Sequence, residues 1–245
     1  MRIIIADNYQ GLSRQAAEII KKQIVKKPDS VLGLATGSTP VGLYKELIEL
    51  YKKEKLDFSR IVTFNLDEYI GLGPNHPRSY NFFMRINLFQ WINAKPKNIF
   101  IPDGTAKDTK KHCQWYEKEI KTKGGIDLQV LGIGRNGHVG FNEPRAEFVS
   151  TTREVSLDDM TVQDNARFFK DASEVPRKAI TMGIATIMKA KQILLLVSGA
   201  DKASIIYQAL KGPITEKVPA SILQKHRALT VILDKGAGRL FKKEN

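Results

Sequence analysis

The chain has 245 residues, 42% of them hydrophobic and 8% aromatic, and its 39 Lys and Arg against 26 Asp and Glu give a formal charge of +13. That composition supports a sizeable core and excludes disorder, collagen-like repeats and coiled coil. A single Cys113 permits neither an intrachain disulfide nor a cysteine-based zinc cluster. The charge suits nucleic acid, an acidic membrane surface or a phosphorylated metabolite, and chooses among none of them.

The N-terminus, Met1-Arg2-Ile3-Ile4-Ile5-Ala6-Asp7, meets a charge after three isoleucines, so no signal-peptide apolar region is expected. β-branched or aliphatic runs at Arg2–Ile5, Val31–Ala35, Ile61–Asn65, Ile99–Ile101, Leu128–Ile133, Ile193–Val197 and Leu229–Leu233 predict strands. The longest of the purely aliphatic stretches, Ile193 to Val197, is far too short to span a membrane, so a soluble, cytoplasmic protein is expected. Val41, Tyr44, Leu47, Ile48 and Tyr51 recur at helical spacing after the second run, and Ala203, Ile206, Tyr207 and Leu210 after the sixth. Continuous apolar runs alternating with amphipathic helices predict an α/β fold: an open, mostly parallel, Rossmann-like sheet with helices on both faces. No composition break or repeat divides the chain, so residues 1–245 are read as a single domain. The polar stretch at about 148–178 reads as a lid or a surface insertion.

Ligands of such sheets bind beyond the carboxyl ends of the strands, which directs attention to four loops. In Thr36-Gly37-Ser38-Thr39-Pro40, Thr39 suits an N-cap and Pro40 the first helical position. A glycine and hydroxyls at a helix N-terminus suit a phosphate, or simply cap the helix; the lysine of a nucleotide-triphosphate loop is missing. In Asn65-Leu66-Asp67-Glu68-Tyr69, adjacent side chains point apart, so one acid belongs to a site and the other to a structural hydrogen bond, Asp67 being the site candidate. Gly132-Ile133-Gly134-Arg135-Asn136-Gly137 matches the dinucleotide fingerprint letter for letter. It runs on into His138-Val139-Gly140-Phe141-Asn142-Glu143-Pro144, where no helix can establish itself, so a nicotinamide or flavin is rejected. His138 and Glu143 form a candidate acid–base pair. No His-x-x-x-His or cysteine spacing accompanies them, and no metal is expected. In Ser198-Gly199-Ala200-Asp201-Lys202, a lysine in a first helical turn opposes the helix dipole; either a phosphate compensates it or the long side chain simply reaches into solvent.

Taken together, these loops resemble the glucosamine-6-phosphate deaminase family, in that family's order and over nearly the whole chain. Leu34 to Pro40, Asn65 to Tyr69, Gly134 to His138 with Phe141 to Pro144, and Ser198 to Ala203 carry the resemblance, joined by Arg167-Phe168-Phe169. It implies conversion of glucosamine 6-phosphate and water to fructose 6-phosphate and ammonia, without a cofactor. It further implies that Asp67 is the enolisation base, that His138 accepts a proton in ring opening, and that Glu143 tunes it. Thr36, Gly37, Ser38, Thr39, Arg167 and Lys202 would hold the phosphate.

Two departures matter. Some members carry aspartate where this chain has Asn136, and an amide can only orient the His138 ring where a carboxylate would also favour its charged form. Allosterically activated hexameric members carry serine and lysine where this chain has Ala146 and Val155, with Arg153 retained, so hyperbolic kinetics are expected. Three competing readings are weighed. A 6-phosphogluconolactonase resembles Asp-Glu-Arg and Gly-His-Thr-Ala-Ser at the second and third loops, which this chain lacks. An inert sugar-phosphate sensor normally carries a DNA-reading helix-turn-helix, which is not seen. A nucleic-acid binder would explain the charge, but no interleaved basic-aromatic stripe is present. The expected partner is therefore a small sugar phosphate, with no nucleic acid and no membrane, and with monomer or homo-oligomer left open.

Overall fold

Strands buried on both faces lose the polar alternation of half-solvated ones, and the apolar runs of this chain pair with one another on that basis. The computed structural model describes residues 1–166, 169–171 and 174–241. Its strands are β1 (Arg2–Ala6), β2 (Val31–Leu34), β3 (Val62–Asn65), β4 (Asp67–Tyr69), β5 (Ile99–Phe100), β6 (Leu128–Leu131), β7 (Arg153–Ser156), β8 (Lys178–Thr181), β9 (Gln192–Val197) and β10 (Leu229–Asp234). Its helices are α1 (Tyr9–Lys26), α2 (Pro40–Glu54), α3 (Tyr80–Asn87), α4 (Thr109–Thr122), α5 (Asp159–Ala166), α6 (Ile184–Met188) and α7 (Ala203–Lys211).

Every run expected to be a strand lies in one sheet, ordered β1-β10-β9-β6-β2-β3-β5, within a residue or two of its expected bounds. All neighbours are parallel, with Ile3 opposite Val231, Val231 opposite Leu195, Val130 opposite Leu194 and Leu34 opposite Asn65. Successive side chains feed opposite layers. Leu32, Leu34, Val130 and Ile232 pack under α1, α2 and α3 with Leu12, Leu43, Tyr44 and Met84. Val31, Phe64, Leu131 and Val231 pack under α4, α6 and α7 with Tyr116, Ile187 and Ile206.

From β2 the chain builds outward to β3 and β5, whereas from β6 it builds the other way, to β9 and β10. The direction reverses between β2 and β6, so the connections at their carboxyl ends part and leave a crevice.

A second sheet, ordered β4-β8-β7 and antiparallel throughout, accompanies the parallel one. Leu66 still pairs with the main sheet, its N–H donating to Leu34 O at 3.0 Å, and the chain then turns straight into β4. The stretch 148–178, expected to be a lid or a surface insertion, contains β7 and α5. Its strand alternates half-buried with exposed residues, and that solvated pattern is what read as polar loop. Leu157, Val162 and Val175 are buried with Tyr69, Phe141 and Ala179 in a small core of their own.

Candidate active site

The loops after β2, β3, β6 and β9 converge on one cleft of about 590 Å³ at the β2/β6 reversal. Thr36, Gly37, Ser38, Thr39, Asp67, His138 and Lys202 all line it. Arg167, also expected there, lies outside the described residues.

Asp67 and Glu68 part as adjacent strand residues must. Asp67 is 5% exposed and borders the cleft. Glu68 turns to the first turn of α3: its Oε1 accepts from the backbone N–H groups of Tyr69 and Tyr80, both at 2.9 Å, and its Oε2 from that of Asn81 at 2.8 Å. A carboxylate at a helix N-terminus satisfies N–H groups that have no partner within the helix. Burial pushes the Asp67 carboxyl up to about 8, with the charge of Glu68 adding to the effect. Burial likewise pushes Glu68 up to about 7, against the pull of its three backbone hydrogen bonds. Asp67 is thus a strongly basic carboxylate when it ionises, as proton abstraction beside a carbonyl carbon requires.

Opposite it, the connection from β6 folds as a glycine-rich loop without a helix, as the rejection of a dinucleotide site required. Gly134 N–H donates to His138 O at 3.0 Å, closing the loop so that the imidazole lies over Gly134. A methyl group at Gly134 would fall on Cε1, Nε2 and Nδ1 of that ring. His138 Nδ1 lies 3.1 Å from Glu143 Oε2, and both side chains are largely enclosed. Burial works to raise the Glu143 carboxyl, but the hydrogen bonds and charge of His138 and the hydrogen bond from Asn136 outweigh it and hold it below the usual range. The carboxylate therefore stays ionised behind the imidazole and orients the ring.

Asn136 departs from its expected contact. Its Nδ2 donates to Glu143 Oε2 at 2.8 Å and its Oδ1 accepts from the His138 backbone N–H at 3.1 Å. The amide orients the glutamate and the loop, not the imidazole ring. Asn142, fully buried, ties the loop to the second sheet: its Nδ2 donates to Val139 O at 2.9 Å and to Met182 O at 2.8 Å. Half-buried Arg153 donates to Asn142 Oδ1 at 2.9 Å, and Val155 packs against the small core of that sheet. Gly140, at φ 58°, brings the loop backbone past Asp67, where a Cβ would lie 3.4 Å from Oδ2.

Pro40 opens α2 as expected, but Thr39 does not cap it. Thr39 is already helical at φ −64° and ψ −46° and makes no side-chain cap. The Gly42 N–H is satisfied instead by Tyr9 Oη at 2.7 Å. Gly37, at φ 98°, turns the loop across the cleft in a conformation natural to glycine. On the other side, Lys202 ends a short 3₁₀ turn, Ala200–Lys202, immediately before α7, rather than standing inside that helix. Asp234 steadies this turn, accepting from Ser198 Oγ, from Gly199 N–H at 3.0 Å and from Ala237 N–H at 2.8 Å.

Aromatic residues that sequence reasoning passed over complete the wall. Tyr69, Tyr80, Phe141 and Phe169 all line the cleft. Tyr80 stacks on Phe141 at 5.9 Å between centroids, and its hydroxyl lies 3.3 Å from that of Tyr69. Tyr69 directly follows the paired acids, and Tyr80 follows the α3 N-cap Ser79, which is the signal that would have found it. Arg135 and Asp164 pair across the rim, joining the catalytic loop to α5. Among the described residues, no cluster of three or more His, Cys, Asp or Glu is placed to hold a metal.

The profile of the family described as glucosamine-6-phosphate isomerases/6-phosphogluconolactonase matches residues 6–232. The chain belongs to that family. Within it, the chain is 56% identical over 245 residues to a glucosamine-6-phosphate deaminase of Thermoanaerobacter sp. (strain X514), covering 100% of this chain and 97% of the relative. It is 52% identical over 241 residues to a glucosamine-6-phosphate deaminase of Halothermothrix orenii, covering 98% and 100%. The solved structure of a monomeric glucosamine-6-phosphate deaminase matches with a TM-score of 0.96 at 48% identity, covering 98% and 100%. A 6-phosphogluconolactonase from Leishmania guyanensis, at TM-score 0.74 and 22% identity over 97% of each chain, is a likeness of fold alone.

Proposed function

We propose that this protein is a glucosamine-6-phosphate deaminase, converting glucosamine 6-phosphate and water to fructose 6-phosphate and ammonia. The observation that carries the reading is the division of acids in one cleft. Asp67 is buried and basic, His138 borders the same cleft with Glu143 behind it, and the loop after β2 lines that cleft as well. His138 takes the proton of the anomeric hydroxyl as the ring opens, with Glu143 stabilising the imidazolium. Asp67 then removes the proton from C2 of the open chain and returns one to C1, while a second proton passes from the amine nitrogen to O1. The resulting imine carbon at C2 adds water and loses ammonia, leaving the ketose. No electron acceptor is required, so no cofactor is assigned.

The phosphate anchors the far end of this flexible chain at Thr36, Gly37, Ser38 and Thr39, with Lys202 and Arg167 supplying charge. Fixing that end holds C2 against Asp67, the positional contribution that enolisation needs. We read residues 1–245 as one domain in which the segment 148–178 closes over bound phosphate. Among the described residues no helix is long and apolar enough to cross a membrane, and we assign the enzyme to the cytoplasm.

Incubation with glucosamine 6-phosphate, measuring ammonia and fructose 6-phosphate together, tests the assignment. Equimolar release of both is expected, with no hydrolysis of 6-phosphogluconolactone. Lactone hydrolysis without ammonia would make the protein a lactonase, and phosphate-dependent binding without either reaction would make it a sensor.

A further inference from the structure

Tyr9 stands outside the cleft, at the first position of α1, yet its hydroxyl meets the phosphate loop at three points. Oη accepts from the Gly42 N–H at 2.7 Å and shares its own proton between Ser38 O at 3.1 Å and Thr39 O at 3.0 Å. These are the backbone groups on either side of the turn that presents Ser38 and Thr39 to the cleft.

The arrangement has a clear physical cause. A helix that opens with Pro40 leaves its first N–H groups without internal partners, and a Ser or Thr before it ordinarily caps one of them. Thr39 makes no such bond. The phenol from another helix supplies it, so Thr39 lines the cleft rather than serving its own helix. Gly42 accommodates the phenol: a Cβ there would lie 2.9 Å from both Cζ and Oη of Tyr9 and would also strike Ser13 Oγ. Ser13 Oγ in turn donates to Tyr9 O at 2.9 Å within the first turn of α1.

We propose that Tyr9 is a positioning residue for substrate phosphate: its hydroxyl holds the Gly37–Thr39 loop in the shape that receives the anion, without touching the anion itself. The proposal rests on the assignment of that loop to phosphate. The first turn of α2 and the loop preceding it move as one unit only while the phenol bridges them. Removing the bridge leaves Ser38 and Thr39 to be ordered by the ligand, at a cost taken from binding rather than from the proton-transfer step.

Tyr9→Phe keeps the ring and removes only the bridging oxygen. The expected result is a rise of roughly three- to tenfold in KM for glucosamine 6-phosphate, the worth of about one hydrogen bond. The inhibition constant of inorganic phosphate as a competitor should rise by the same factor, while kcat changes less than twofold. Ser38→Ala, measured in parallel, reports on the loop assignment. If Ser38→Ala weakens inorganic phosphate and Tyr9→Phe does not, the positioning role is overturned while the loop assignment stands. If neither weakens it, both fall. A Tyr9→Phe protein that melts earlier but binds inorganic phosphate as tightly as the parent reduces Tyr9 to a helix cap and overturns the proposal.

Discussion

Asp67→Asn should stabilise the folded protein at alkaline pH and leave it nearly unchanged near pH 3. The Asp67 carboxyl is pushed from 3.8 to about 8 in the folded state, chiefly by burial. Between those values the native state keeps a proton that the unfolded chain has released. Stability therefore falls as pH rises through this window, and the loss is complete above about 8. At about 1.4 kcal/mol for each tenfold change in proton affinity, the full displacement has a ceiling of about 6 kcal/mol. Asp67 borders an open cleft, and water reaching it should reduce this to about 2–3 kcal/mol. Asparagine has the same shape and cannot ionise, so it removes that cost. Urea denaturation of parent and variant at pH 4.5 and pH 8.5 measures the difference. The expected gain is about 2–3 kcal/mol at pH 8.5 but only about 1 kcal/mol at pH 4.5, where the native protein still holds a proton that the unfolded chain has begun to release. An equal gain at both pH values, or a loss at pH 8.5, would show that burial does not destabilise the ionised carboxylate and would refute the reasoning. Such a site trades stability for a base of the required strength.

Two further substitutions probe the opposite wall. Gly134→Ala places a methyl group on the His138 ring, and the ring must shift; kcat should fall by about 10²-fold while circular dichroism stays that of the parent, since misplacement of about 1 Å can cost that much. An unchanged kcat would remove His138 from the reaction. Asn136→Asp brings a carboxylate into hydrogen-bond range of Glu143, now 2.8 Å from the amide nitrogen, and one of the two acids must then hold a proton. The pH profile of kcat/KM should be displaced, and an unchanged profile would mean that Glu143 does not couple to the reacting groups.

Much of this site is legible in local chemistry. Val31 to Leu34 and Leu128 to Leu131 read as strands because burial on both faces removes polar alternation, and the loops beyond them follow from strand direction. The separate fates of Asp67 and Glu68 follow from the alternation of side chains along extended backbone. Where the sequence misleads, a distant residue has taken over a local role. Thr39-Pro40 has the pattern of an N-cap, but the capping oxygen belongs to Tyr9, thirty residues earlier. Asn136 sits two residues from His138, and only the folded loop turns its amide toward Glu143 instead of the ring. The second sheet was hidden for a related reason. β7 alternates half-buried with exposed side chains, and β4 is only three residues long, within the Asn65–Tyr69 segment itself.

The central claim is that Asp67 moves the proton between C2 and C1. Its most direct test is ammonia release from glucosamine 6-phosphate by the Asp67→Asn protein, with retention of the sugar phosphate followed by equilibrium binding on the same preparation. Release should fall by at least about 10³-fold, the order expected for loss of a general base, while binding stays within a few-fold of the parent. Turnover close to the parent rate in a variant that still binds would contradict it.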